Sequence, residues 1–130
     1  MLNSIIVADD STTARMIIRR CLQIAGCGSA IFLEAHDGEQ ALELARNNNV
    51  DLVVTDLNMP NMDGRSLLKH IKSSPKLAFL PVLVISSATN EAKEVDLREL
   101  GAFAVLSKPV TPSDLAKILT KLSSLQDGAR

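Results

Sequence analysis

Asp51-Leu52-Val53-Val54-Thr55-Asp56-Leu57-Asn58-Met59-Pro60-Asn61-Met62-Asp63-Gly64 is the stretch that decides the fold. It passes from apolar to acidic to turn-forming residues. An apolar, β-branched run spells a strand buried on both faces. Pro60, Asn61, Asp63 and Gly64 are turn formers. Asp56 therefore stands where a buried strand gives way to a loop at its carboxyl end, the place where ligands bind in an open α/β sheet.

Outward from that stretch, short apolar runs alternate with helical patterns, the sign of βαβ units and a parallel sheet. The runs are Ser4 to Ala8, Ala30 to Glu34, Leu52 to Asp56, Pro81 to Ser86 and Phe103 to Ser107. The first helix shows Ala14, Ile17, Ile18, Cys21, Leu22 and Ala25 at spacings of three and four, and Gly26 and Gly28 stop it. Asp37 with Gln40 three residues on reads as a capping box opening the second helix, whose inner face is Ala41, Leu42 and Ala45. The third helix turns Gly64, Leu67, Leu68 and Ile71 inward. The fourth, Asn90 to Leu100, has a thin inner stripe of Ala92, Val95 and Leu100, which predicts low local stability. Thr111-Pro112-Ser113-Asp114 starts the last helix, with Leu115, Ile118, Leu119 and Leu122 buried.

The 130 residues suit one domain with its own core, and the 14 basic and 15 acidic side chains leave a formal charge of −1. Such a balance gives no electrostatic reason to bind nucleic acid or an anionic membrane. Without Trp or Tyr and with three Phe, stacking platforms for bases or flavins are hard to build. Cys21 and Cys27 lack the spacing of a redox or zinc motif and read as reduced thiols. No leader or membrane span is seen at the amino terminus or elsewhere, and a cytoplasmic location is expected. Residues 126–130 are expected to fray after a domain spanning 1–125.

In this arrangement the strand ends bring Asp9 and Asp10, Asp56, Ser86 and Lys108 to one edge of the sheet. Like charges about 4 Å apart repel by roughly 4 kcal/mol at an intermediate dielectric, so three carboxylates call for a divalent cation. Oxygen-only ligands with room for water favour Mg²⁺, which usually completes its shell with a phosphate. With charge neutralised by the cation and Lys108, Asp56 is suited to act as a carboxylate nucleophile on phosphorus. Lys108 and Ser86 are suited to hold the phosphoryl oxygens.

Taken together, Asp9-Asp10-Ser11, the block from Asp56 to Gly64, Ser86 and Lys108-Pro109 resemble the receiver domains of two-component response regulators, especially the single-domain chemotaxis type. The resemblance covers essentially the whole chain. It implies a flavodoxin-like, doubly wound sheet of five parallel strands in the order 2-1-3-4-5 with five flanking helices. It further implies that Asp56 accepts phosphate from a histidine kinase, and that Asp10, Asp56 and the backbone carbonyl of Asn58 ligate Mg²⁺, with Asp9 acting through water. Ser86 would shift towards the phosphoryl group on activation, and Asn58 would tune its hydrolysis. A downstream protein would then read the surface of the fourth helix, fifth strand and fifth helix on a monomer. Two positions depart from the pattern: Val105 and Val110 stand where receivers often carry aromatic residues.

Blander readings exist for each residue. Asp9-Asp10 can serve as a helix cap, Asp56 as a capped turn, Lys108 as a surface lysine and Ser86 as a backbone-bonded hydroxyl. Their joint placement argues against coincidence. His36 and His70 read as surface residues, and Met59 and Met62 as packing under the loop. A phosphorelay intermediate or phosphate sink is the alternative within the family. Outside it, a Mg²⁺-dependent aspartyl-phosphate hydrolase lacks its usual Asp-x-Asp and cap domain here, and a flavin or nucleotide module lacks a glycine-rich turn. The expected protein is thus a signalling module rather than an enzyme, with no output domain of its own.

Overall fold

Strand after strand in this chain has no face left for water. Ile5 to Ala8, Leu52 to Thr55 and Val82 to Ser86 are all buried, which requires helices on both sides of the sheet. The computed structural model describes residues 2–87 and 89–128, the side chains of 126–128 excepted. The chain runs β1 (Ser4–Ala8), α1 (Thr12–Leu22), a π-helical turn (Gln23–Cys27), β2 (Ile31–Ala35), α2 (Gly38–Asn47), β3 (Leu52–Thr55), α3 (Gly64–Ser73), β4 (Val82–Ser86), α4 (Glu91–Glu99), β5 (Ala104–Ser107) and α5 (Pro112–Gly128).

All strand pairs are parallel, in the order β2-β1-β3-β4-β5. The doubly wound sheet expected from the alternation and the resemblance is the one observed. Alternating residues feed two cores. Ile6, Ala8, Val53, Val82, Val84 and Val105 pack towards α2, α3 and α4. Ile5, Val7, Leu52, Val54, Leu83, Ile85 and Ala104 pack towards α1 and α5. At about 25 cal/mol per Å² of apolar surface removed from water, these two layers are the main source of stability.

Helix starts follow their local chemistry. Ser11, Asp37, Asp63 and Asn90 each accept a backbone N–H from the first turn of α1, α2, α3 and α4. In α5 the capping is reciprocal: Thr111 Oγ1 accepts from Asp114 N, and Asp114 Oδ2 accepts from Thr111 N. Gln40 reaches back to the backbone N–H of His36, one residue before the Asp37 cap.

Two helical faces differ from expectation. In α4, Ala92 is exposed and Val95 is 51% exposed, while Leu97 is buried. The inner stripe is thus Leu97 with the partly buried Leu100, which alone of the three foreseen residues packs against the core. The helix is also tied outside the core, where Arg65 on α3 forks onto both carboxylate oxygens of Asp96 at 2.8 and 3.1 Å. In α1, Ile18, Cys21 and Leu22 are buried, but Ile17 faces outward at 51% exposure. Gly26 adopts φ +127° inside the π-helical turn, a conformation favouring glycine, and the chain leaves the helix there. The last helix continues through Gly128, so residues 126–128 of the expected tail are helical, and Ala129 and Arg130 lie outside the described residues.

Candidate phosphoryl and cation site

The ladder continues one residue past each strand. Asp9 N donates to Ala35 O at 3.0 Å, Asp56 N to Ala8 O at 2.9 Å and Lys108 N to Ser86 O at 3.1 Å. Register alone therefore carries Asp9, Asp56 and Lys108 to the same edge, beside the switch point where β1 and β3 lead their helices to opposite faces. Single carboxylate oxygens of Asp9, Asp10 and Asp56 all lie within 4.8 Å of one another. Among the candidate residues, Asp9, Asp10, Asp56 and Lys108 meet there. Ser86, fully buried and paired in register with Ser107, ends the neighbouring strand.

Lys108 binds this cluster together. Its Nζ donates to Asp9 Oδ2 at 2.7 Å and to Asp56 Oδ2 at 3.4 Å. Burial pulls the Lys108 ammonium down, but the Asp9 hydrogen bond and the charges of both carboxylates outweigh it and hold the group above the ordinary lysine value. It stays charged at neutral pH. The Lys108-Pro109 bond is cis.

Asp9 is 1% exposed and Asp56 7%, and each has a second fixed partner. Ser11 N donates to Asp9 Oδ1 at 2.9 Å and Leu57 N to Asp56 Oδ1 at 2.7 Å. Asp10, by contrast, is exposed, and its carboxylate has no hydrogen bond or ion pair among the described residues. Asn58 is exposed at the mouth of the following loop. An all-oxygen set of two anchored carboxylates and one unengaged carboxylate suits a hard divalent cation that keeps several waters. The residues present fit Mg²⁺.

The loop after Asp56 is fastened from outside the acidic cluster, by contacts with no marker in the sequence. Asn61 takes φ +65° and donates from Nδ2 to Asp37 Oδ2 at 2.8 Å. Gly38 N donates to Met62 O at 2.9 Å, and a Cβ on Gly38 would lie 2.5 Å from that oxygen. Met59 and Met62 pack against the core beneath the loop, as expected. His36 is exposed, with Nδ1 3.4 Å from Asp37, and His70 rests on the carbonyl of Ser66 in its own helix.

Hydrogen bonds from the Gln40 backbone and from Asn61 hold the Asp37 carboxyl below the usual carboxylate range. A depressed folded value means that ionised Asp37 contributes stability above the unfolded value near pH 4, and that this contribution is lost as pH falls through the folded value. Asp37→Asn is therefore expected to show a shallower loss of stability in acid than wild type, between about pH 5 and pH 2. Urea unfolding at a series of pH values measures it, and parallel profiles for the two proteins would rule it out.

This is the fold and edge geometry of a phosphorylation-type signalling module. The description "response regulator receiver domain" matches residues 5–120, and the chain belongs to that family. It is similar to chemotaxis protein CheY-3 of Vibrio cholerae serotype O1, 35% identical over 118 residues that cover 91% of this chain and 89% of the relative. Among solved structures, the chemotaxis response regulator CheY4 of Vibrio cholerae superposes with a TM-score of 0.80 at 30% identity, covering 93% of this chain and 98% of that one. The CheY of a CheX-CheY complex with BeF₃ and Mg²⁺ from Borrelia burgdorferi gives 0.79 at 26% identity, covering 92% and 88%. The protein is thus a CheY-like receiver domain, a class of signalling proteins that bind Mg²⁺ in an acidic pocket and interact with histidine kinases and downstream targets. No helix among the described residues is long and apolar enough to cross a membrane.

Proposed function

We propose that this receiver accepts a phosphoryl group on Asp56 and signals by phosphorylation-dependent binding of a protein partner, in the manner of the chemotaxis type. The observation that carries this reading is Asp56 itself: a nearly buried carboxylate at the end of β3, 3.4 Å from a charged lysine and grouped with Asp9 and Asp10. Asp9, Asp10, Asp56 and the Asn58 carbonyl would hold Mg²⁺, which supplies charge neutralisation for an incoming phosphate.

A carboxylate oxygen of Asp56 forms the new P–O bond while the P–N bond of a kinase phosphohistidine breaks and the imidazole nitrogen leaves with the electron pair. Lys108, already directed at Asp56, moves its donors onto the phosphoryl oxygens, and the Ser86 hydroxyl at the end of β4 offers another. Output runs through the surface of α4, β5 and α5, where Val95 offers an exposed apolar anchor. Residues 1–125 act as the receiver unit, as a monomer in the cytoplasm. Relay to another protein, or storage as a phosphate sink, uses the same chemistry.

The purified chain, incubated with Mg²⁺ and acetyl phosphate, is expected to gain one phosphate by intact-mass measurement, and to gain none when EDTA is present. No gain with Mg²⁺ overturns the reading. Repeated turnover of a free phosphomonoester would instead favour a hydrolase with an aspartyl-phosphate intermediate.

A further inference from the structure

Arg15 reaches the acidic edge from α1, whereas Lys108 reaches it from the end of β5. Its Nη1 donates to the backbone carbonyl of Asp9 at 2.6 Å, its Nε to Glu34 Oε1 at 3.0 Å and its Nη2 to Thr12 Oγ1 at 3.2 Å. The side chain is 14% exposed. One guanidinium thus joins three elements: the β1–α1 turn that bears Asp9 and Asp10, the first turn of α1, and the edge strand β2. A planar fork with fixed donors does this where a lysine, a single point charge, cannot.

The carbonyl it holds belongs to the peptide linking Asp9 to Asp10. With Ser11 N on Asp9 Oδ1 and Lys108 on Asp9 Oδ2, every oxygen of Asp9 has a donor. Asp10 has none on its carboxylate, so what places it is its Cα–Cβ direction, which the backbone held by Arg15 sets, and a bound cation then selects its rotamer. Glu34 has a separate part. It also receives Arg19 Nη1 at 3.6 Å, and Arg19 lies over the Phe32 ring at 5.4 Å, so the carboxylate is itself held in place. Its negative charge sits against a guanidinium that would otherwise repel a divalent cation nearby.

We infer that Arg15, seated by Glu34, is a positioning residue for cation binding: it fixes the Asp9-Asp10 peptide so that the Asp10 carboxylate meets the metal with Asp9 and Asp56. This rests on reading the acidic edge as a Mg²⁺ site. Two accounts of Arg15 predict opposite signs. If it acts only as a nearby positive charge, removing it tightens Mg²⁺ binding. If it positions the turn, removing it weakens binding, and residues that orient metal ligands typically contribute about 10-fold in affinity.

Calorimetric titration of the full chain with Mg²⁺ alone separates them. Arg15→Ala and Arg15→Lys are both expected to bind about 10-fold more weakly than wild type, the lysine failing to rescue because it keeps the charge and loses the fork. Glu34→Gln is expected to weaken binding as well. Arg20→Ala, which removes the same charge from α1 at an exposed residue, is expected to match wild type. The titrations are run well below each variant's melting temperature, so a loss of stability alone leaves the dissociation constant unmoved. Arg15→Ala binding as tightly as wild type, or more tightly, overturns this inference alone, as does full rescue by Arg15→Lys. A wild-type chain that binds no Mg²⁺ overturns the inference and the underlying reading together.

Discussion

Asp56→Asn is expected to take up no phosphate from acetyl phosphate and, in the absence of divalent cations, to melt at a higher temperature than wild type. The first half follows from removing the nucleophilic oxygen. The second follows from the charge count at the edge: three carboxylates within 4.8 Å face a single ammonium. Two like charges 4.8 Å apart repel by about 3.5 kcal/mol at an effective dielectric of 20. Lys108 and water remove most of that, leaving a gain of about 1 kcal/mol on neutralising Asp56, or roughly 3–5 °C for a domain of this size. Asparagine can still accept the Leu57 N–H, so the main backbone contact survives. Adding Mg²⁺ should stabilise wild type and narrow the difference. A lower melting temperature for the metal-free variant would show that the carboxylates are not in conflict, and phosphate uptake by it would place the acceptor elsewhere.

Gly64→Ala is expected to destabilise the fold by about 3 kcal/mol, at the upper end of the usual cost of overpacking, and to reduce phosphate uptake with it. A Cβ at this position would stand 2.0 Å from the carbonyl oxygen of Asp56, 2.9 Å from its carbonyl carbon and 3.0 Å from the Cα of Leu57. All three are backbone atoms, so no side chain can swing aside. Gly64 N also donates to Leu57 O at 2.9 Å, which keeps α3 pressed against the acceptor loop. The chain can relax only by moving that loop or the start of α3. The Asp56 carbonyl also accepts the Thr55 hydroxyl, at 2.8 Å, so the shift reaches β3. Gly28→Ala is the control, since its Cβ would meet nothing closer than 3.8 Å. Urea denaturation of both gives the comparison, and a Gly64→Ala protein within about 0.5 kcal/mol of wild type would contradict the close approach.

β1, β3 and β4 were legible because double burial leaves an unmistakable apolar run, and the strand order followed from the resemblance. Asp9, Asp56 and Lys108 were legible for a related reason: each immediately follows a strand, with Asp10 one residue later, and parallel register places strand ends side by side. What escaped depends on contacts between residues distant in sequence. Nothing near Arg15 marks it as a partner of the Asp9 carbonyl and of Glu34. The Asp37–Asn61 bond spans 24 positions and needs a left-handed residue that no local pattern announces. On α4, Val95 and Leu97 are equally apolar, and periodicity favoured the wrong one because so few apolar residues define a face.

That fourth helix has a thermodynamic consequence. Burying Leu97 contributes on the order of 2 kcal/mol, and the Arg65–Asp96 fork, being open to water, adds little. In so lightly attached a helix the balance between seated and displaced positions is expected to lie closer to even than in the core helices. A partner that binds a displaced position better, or a modified Asp56 that disfavours the resting one, needs to change that balance only modestly. On the proposed reading, output from a chain with valine at 105 and 110 would then be a matter of occupancy: the fraction of time α4 spends away from its seat, rather than the flip of a ring.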